Sequence, residues 1–286
     1  MALWKLFSLT KKNKIRLVFY LAALAFLIPG LDWRLQTTRY EITSGKIQSR
    51  VRVMLIADLH SCHYGGGQRK LLDAIHKQNP DLILYAGDIL DDHIPDENTV
   101  VLLAALRGKY PAYYVTGNHE FWSRESEKKI SIMRQHGVKV LRGERETVSI
   151  NGQTLNICGV DAPDVDFYTR PERTFSEQLD SLKNAADNGA FTILLAHRPE
   201  LIETYGRLPF DLVLSGHAHG GQWRLPFTHI GLYSPDQGFF PKYPGGRYDI
   251  NGMPMIVSRG LAKESTRVPK LYNRPELVVV DLASDR

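Results

Sequence analysis

Asp58-Leu59-His60, Gly87-Asp88, Gly117-Asn118-His119-Glu120, Ala196-His197 and Gly216-His217-Ala218-His219 gather carboxylate, amide and imidazole side chains into five short motifs. Each lies at or just after a short apolar run that reads as a strand. Hard carboxylate oxygens mixed with imidazole nitrogens suit manganese, iron or zinc at hydrolytic centres. An Asp-x-His pair at a strand end puts two side chains on one face, because strand periodicity is two, so Asp58 and His60 can clasp one ion. Asp88, alone at the next strand end, is placed to bridge two ions. Asn118 offers a neutral carbonyl oxygen to the second, His197 closes an apolar strand, and His217-x-His219 repeats the i, i+2 spacing. Singly, an Asp after Gly is most often a turn or helix cap, and a buried His is most often only hydrogen-bonded. Five such motifs in order are not accounted for by packing.

The elements that would position these residues alternate. Val51–Ala57, Leu82–Ala86 and Ala112–Thr116 read as buried strands, and Gln68–Gln78, Thr99–Arg107 and Arg124–His136 as helices. This βαβαβ order implies parallel strands with helical crossovers. In such sheets ligands bind beyond the carboxyl ends of the strands, where Asp58, Asp88 and Asn118 fall. The second half reads as short strands at Val138–Leu141, Thr147–Ile150 and Thr154–Cys158, with Asn151-Gly152 as a hairpin turn. A helix follows near Ser176–Ala186, then strands at Phe191–Leu195, Leu212–Leu214, Met255–Val257 and Leu277–Val280. Gly220–Gly252, rich in Gly, Pro and aromatic residues, reads as irregular. The fold class expected is α/β: two facing mixed β-sheets flanked by helices in one domain over residues 51–286.

Together, Asp-x-His, Gly-Asp-x-x-Asp (Gly87 to Asp91), Gly-Asn-His-Glu, the single His and Gly-His-x-His resemble the calcineurin-like metallophosphoesterases over roughly residues 51–282. Gly216 to Gln222, Ser258-Arg259-Gly260 and Arg274-Pro275-Glu276-Leu277 are similar to the bacterial membrane-associated YkuE/YaeI-like phosphodiesterase branch. The resemblance implies that Asp58, His60, Asp88 and His219 hold a first divalent metal, and Asp88, Asn118, His197 and His217 a second, with manganese favoured and iron or zinc as alternatives. It implies that His119 is no ligand but faces the substrate, stabilising phosphoryl oxygens or protonating the leaving group. Asp91 would support a ligand by hydrogen bonding, and Glu120 would orient His119. The reaction implied is phosphodiester hydrolysis, in which hydroxide generated between two cations about 3.5–4 Å apart attacks phosphorus in line with the leaving alkoxide. A lipid-precursor pyrophosphatase of the same fold is the alternative within the enzyme class. A membrane-anchored metal-binding protein without turnover is the alternative outside it, and the intact His119 argues against that.

The remaining features set the context. Residues 1–50 carry nine Lys/Arg against two Asp/Glu, whereas the other 236 carry 27 against 29, so the catalytic part is no basic nucleic-acid platform by charge count. Lys11, Lys12, Lys14 and Arg16 precede an apolar run from Leu17 to Leu31. As 15 residues of helix this run spans roughly 22 Å, short of a ~30 Å hydrocarbon core. Residues 1–34 are read as a basic flank with an uncleaved signal anchor, ahead of a cleaved signal or an interfacial helix. Membrane contact would run through residues 17–31, and the early positive charges would keep the N-terminus cytoplasmic and the enzyme outside. Residues 35–50 read as a polar tether. The substrate expected is a phosphodiester or pyrophosphate, lipid-linked in keeping with the anchor. Cys62 and Cys158 are too few for a disulfide scaffold, and Cys62, inside the first metal loop, reads as a small loop residue ahead of a ligand. Arg198, Arg259 and Arg267 suit a second phosphate or a head group, His63 and His93 could reach the cleft, and Tyr233, Phe239, Phe240 and Tyr243 could wall a lipid or sugar pocket. For each of these a surface or packing role is the default.

Overall fold

The computed structural model describes residues 10–265 and 268–285, so Arg267 lies outside the described residues. The chain opens on helix α1 (Lys11–Gly30), followed by strands β1 (Gln36–Thr43) and β2 (Val51–Ile56). Then come α2 (Arg69–Gln78), β3 (Leu82–Ala86), α3 (Glu97–Leu106), β4 (Ala112–Val115), α4 (Asn118–Trp122), α5 (Ser126–Gln135) and β5 (Lys139–Val140). The second half runs β6 (Glu144–Ile150), β7 (Gln153–Gly159), α6 (Val165–Tyr168), α7 (Phe175–Ser181), β8 (Phe191–Leu195), α8 (Ile202–Tyr205) and β9 (Leu212–Ser215). Short strands β10 (Tyr233–Ser234) and β11 (Gly238–Phe239) precede β12 (Gly246–Ile250) and β13 (Met253–Val257). The pair β14 (Glu264–Ser265) and β15 (Val268–Pro269) precedes β16 (Glu276–Ala283).

Two six-stranded sheets result, in the orders β1-β16-β2-β3-β4-β5 and β12-β13-β9-β8-β7-β6. Within the first, β2 through β5 are parallel, as the crossovers α2 and α3 require, and β16 runs antiparallel to β2. The second has a parallel core of β13, β9, β8 and β7, with antiparallel edges at β12 and β6. Strand alternation explains the near-continuous apolar runs, because both faces are covered. Val53 and Leu55 of β2 enter the layer between the sheets, with Leu84, Ile157, Ile193 and Leu214. Met54 and Ile56 pack instead under Leu71, Ile75, Leu103 and Met133 of α2, α3 and α5. A third cluster, including Leu179, Leu182, Ile202 and Tyr205, covers the outer face of the second sheet.

Three elements differ from the sequence reading. Residues 35–50 are not simply a tether: β1 pairs with β16 in parallel over eight residues, Gln36↔Glu276 to Thr43↔Ala283. Its polar sequence hid it, because an edge strand buries little, and only Ile42 is fully packed. α1 takes in the basic residues Lys11 to Arg16, begins at an N-cap Thr10, and is 20 residues long. At 1.5 Å per residue that is about 30 Å, enough to cross a hydrocarbon core, and the helix is apolar enough to do so. The helix expected over Ser176–Ala186 stops at Ser181; Thr174 and Glu177 form a capping box at its start, and residues 182–188 run on as turns. The Gly220–Gly252 stretch, expected to be irregular, holds the short strands β10 and β11 and the whole of β12, and is irregular between them.

Candidate metal centre

Every one of the seven predicted ligands is buried, and all lie where the carboxyl ends of β2, β3, β4, β8 and β9 meet. The first sheet supplies Asp58, His60, Asp88 and Asn118; the second supplies His197, His217 and His219. The strands stop short of these residues. β2 ends at Ile56, and Asp58 and His60 stand in left-handed backbone at φ 48° and 47°; Asp88, His217 and His219 do the same at 51°, 66° and 48°. The Asp-x-His pair therefore does not converge by strand alternation. The loop crosses to its neighbour instead: Asp58 N–H donates to Gly87 O at 3.1 Å and His60 N–H to Asp88 O at 3.0 Å. Non-glycine residues at positive φ cost free energy that only surrounding structure sustains, and they concentrate at functional sites. Glycine is required beside them. A Cβ on Gly216 would lie 2.6 Å from Asp58 Oδ2, and one on Gly87 2.5 Å from His197 Nδ1.

The donor atoms are sorted. Asp58 Oδ1 accepts the His217 N–H at 2.8 Å and Asp88 Oδ1 accepts the His119 N–H at 2.9 Å, which leaves each Oδ2 to the centre. His60 Nδ1 pairs with Asp91 Oδ2 at 2.8 Å, His197 Nδ1 donates to Ala86 O at 2.7 Å, and His217 Nε2 pairs with Asp236 Oδ2 at 2.9 Å. In each ring the opposite nitrogen is left for the cluster, the arrangement by which an outer partner fixes the tautomer of a metal-binding His. Asp58 Oδ2, His60 Nε2, Asp88 Oδ2 and His219 Nδ1 are buried without any hydrogen-bond partner. Such atoms are costly to bury unless something binds them. Asp58, His60, Asp88 and His219 offer atoms all within 4.8 Å of one another, as do Asp88, His197 and His217. Asp88 belongs to both groups: its Oδ2 lies 3.7 Å from His60 Nε2 and 3.1 Å from His197 Nε2. Asn118 Oδ1 is 3.2 Å from the same His197 nitrogen. The set suits a pair of divalent cations, with Asp88 common to both groups.

The carboxylates draw positive charge inward. Burial opposes charge on His197, but Asp88 overrides it and raises the imidazole to about 10. Burial likewise opposes a charged His60, and the Asp91 hydrogen bond with Asp88 and Asp58 carries it above the usual value. His219, buried and facing Lys270 and His60, is held well below.

His119 stands at the rim, its ring 4.4 Å from that of His60 and 4.8 Å from Trp122. Its Nδ1 meets Asp92 Oδ1 at 2.7 Å. Glu120 was expected to orient His119 and does not. Its carboxylate accepts the backbone N–H groups of Gly117, Asp88, Ile89 and Leu90 at 2.7–3.0 Å, tying the β3 and β4 loops together. Asp92 and Asp236 escaped the sequence reading. Asp92 follows the noted Asp91, so its neighbourhood was a signal; Asp236 lies in the irregular segment, and nothing in its spacing pointed to His217. Arg198 is committed to Asp236 at 2.5 Å and Asp164 at 2.6 Å, and Arg259 to Glu276 at 2.8 Å. His63 is exposed, and His93 rests on Asp92 Oδ2 at 3.2 Å. Cys62 packs against the helix-side core, outside the donor groups. Tyr233 and Phe239 stack with centroids 5.4 Å apart, while Tyr243 is buried against Tyr248 instead.

Residues 51–221 match the sequence profile of the calcineurin-like phosphoesterases. A metallophosphoesterase of Helicobacter pylori, itself uncharacterised, is 30% identical over 224 residues, 76% of this chain and 58% of that protein. The Bacillus subtilis protein YkuE, also an uncharacterised metallophosphoesterase, is 29% identical over 267 residues, 87% of this chain and 86% of its own. The chain thus spans little more than half of the Helicobacter relative and most of the Bacillus one. Among solved structures, a 5′-nucleotidase precursor of Thermus thermophilus superposes with a TM-score of 0.52 at 15% identity, over 82% of this chain and 54% of that one, a likeness of fold.

Proposed function

The chain belongs to the calcineurin-like phosphoesterases, and on that premise we propose that it is a binuclear metal-dependent phosphodiesterase. The observation that carries the reading is the convergence of Asp58, His60, Asp88 and His219, whose donor atoms lie within 4.8 Å of one another, with Asp58 Oδ2, His60 Nε2 and Asp88 Oδ2 buried there and without a hydrogen-bond partner. Asp58, His60, Asp88 and His219 would hold one divalent cation, and Asp88, Asn118, His197 and His217 the other, manganese being the first choice for this oxygen-and-nitrogen donor set. When bound, the two ions supply an activated water and neutralise phosphoryl charge.

The chain's own residues do the rest. Asp91, Ala86 O and Asp236 fix the imidazoles of His60, His197 and His217. Asp92 holds His119 by Nδ1, leaving Nε2 to donate to a phosphoryl oxygen or to the departing alkoxide. Asp91, Asp92 and Asp236 line the rim, and Arg198 is already neutralised by Asp164 and Asp236. An acidic rim beside an already paired Arg198 disfavours a dianionic monoester more than a monoanionic diester. α1 and the exposed Phe239 and Phe240 support a lipid-linked substrate at the membrane, and Lys11, Lys12, Lys14 and Arg16 ahead of the apolar run favour the catalytic domain on its outer side.

The test uses the full chain in detergent with added manganese. Hydrolysis of bis(p-nitrophenyl) phosphate faster than that of p-nitrophenyl phosphate, and its loss on chelation, is the expected result. Two metals bound per chain without turnover of either ester would sink the catalytic reading in favour of a metal-binding protein.

A further inference from the structure

A second polar cavity lies behind the metal centre. Its volume is about 550 Å³, and Arg224, Arg247, Arg259, Tyr40 and Tyr248 line it together with one carboxylate, Glu276. Arg224 is only 8% exposed, yet no carboxylate of the described residues pairs with it. Its guanidinium reaches only Thr228 O at 3.3 Å and His229 Nδ1 at 3.4 Å. Arg259, by contrast, is balanced by Glu276, and Arg247 by Asp249. Burial, with Arg259 nearby, pushes the Arg224 guanidinium below its usual pKa against the pull of Glu276, whose carboxylate is already paired with Arg259. A buried cation without a counter-charge is costly. Tyr40 is a ready donor, since burial pushes its hydroxyl up to about 12 and keeps it protonated.

The cavity adjoins the end of α1. Tyr272 lines it, donates its hydroxyl to Phe26 O, and donates its backbone N–H to Gly30 O at 2.6 Å. Arg224 N–H is bonded to Leu271 O at 2.9 Å, and Trp223 bridges to Leu271. Either side of the inward Arg224, Trp223 and Leu225 are exposed, and so are Phe227 and Ile230 further along the same loop. Apolar side chains outside and a buried guanidinium inside, next to a helix long enough to cross a bilayer, match the two halves of a phospholipid at head-group depth. Guanidinium forks suit phosphate oxygens.

We propose that this cavity is an anion site for a phosphate ester, built by Arg224 with Arg247 and Tyr40 and separate from the metal centre. The wall between the two sites is the Arg259-Gly260 segment, which Lys270 Nζ holds by Arg259 O at 2.6 Å and against which Asp58 packs.

The experiment measures the melting temperature of the full chain in nanodiscs, with EDTA present so that the metal centre cannot take up phosphate. Discs of phosphatidylcholine alone are compared with discs containing phosphatidylglycerol, with and without inorganic phosphate, for wild type, Arg224→Gln, Arg224→Lys and Arg247→Gln. Arg224→Gln removes an unpaired buried charge, so its melting temperature in phosphatidylcholine discs should equal or exceed that of wild type. Phosphatidylglycerol should raise the wild-type value and leave Arg224→Gln unmoved, with Arg224→Lys and Arg247→Gln between; the half-saturating anion content for Arg247→Gln should rise by at least about tenfold. If inorganic phosphate in phosphatidylcholine discs reproduces the shift, again only when Arg224 is present, the site stands and its occupant is a soluble phosphate. Equal shifts in wild type and Arg224→Gln, as the basic flank of α1 alone would give, overturn it, and so does the absence of any shift.

Discussion

His119 and Asp92 meet at 2.7 Å at the edge of a cluster in which His60, His197 and His217 are each tied by a carbonyl or a carboxylate. Because His119 is held from outside the donor set, its removal should leave that set intact. His119→Ala is expected to lower turnover about 10²–10⁴-fold while elemental analysis still finds two metals per chain. Metal lost together with activity would count against this role. Asp92→Asn tests the positioning of the ring rather than its presence. The expected fall in kcat is about 10–100-fold at unchanged metal content. An Asp92→Asn enzyme as fast as wild type would remove Asp92 from the account.

Two elements have consequences of their own. Glu120 at the start of α4 gathers four backbone N–H groups from the β3 and β4 loops in full burial. Glu120→Gln turns an acceptor into a donor facing those donors. It should lower the unfolding free energy by about 1–3 kcal/mol, read from denaturant midpoints. At the β1–β16–β2 edge, Asp281 lies 2.7 Å from Arg52, 3.0 Å from Arg50 and 3.8 Å from Arg39. Burial works against its charge, but the Arg52 hydrogen bond and the neighbouring cations hold its carboxyl below the usual value. A carboxyl lowered on folding contributes stability above its unfolded pKa of about 4, and that contribution is lost as pH falls through the folded value. Asp281→Asn should therefore melt lower than wild type at neutral pH, the gap closing on acidification below about pH 4. A gap that is constant with pH would assign the loss to packing.

Across the whole molecule, the predicted ligands divide four to three between the sheets, so ions bound there would staple one sheet to the other. Loading with manganese should raise the melting temperature and chelation lower it, in proportion to the logarithm of metal excess. A melting temperature indifferent to metal would show that the layer between the sheets holds the two halves without help. The burial of that layer, from Val53 and Leu55 on one side to Ile193 and Leu214 on the other, is what brings motifs more than a hundred residues apart to one point.

The five motifs, their order at strand ends and the parallel βαβαβ start were all legible from residue types and periodicity. A hydrolytic metal centre needs hard donors, and buried parallel strands need continuous apolar runs; both demands are written locally. What contacts those donors was not local. Asp236 reaches His217 out of an irregular segment, Glu120 serves backbone amides instead of His119, and among the described residues Arg224 has no paired carboxylate because its neighbours pair elsewhere. β1 was hidden because an exposed edge strand needs no apolar pattern; its place follows from the backbone of β16, which lies 240 residues on. Sequence determined which chemistry the chain carries and on what scaffold. Only the tertiary structure decided which atoms face one another, since hydrogen-bond partners and left-handed turns are selected by packing between segments that no short-range pattern connects.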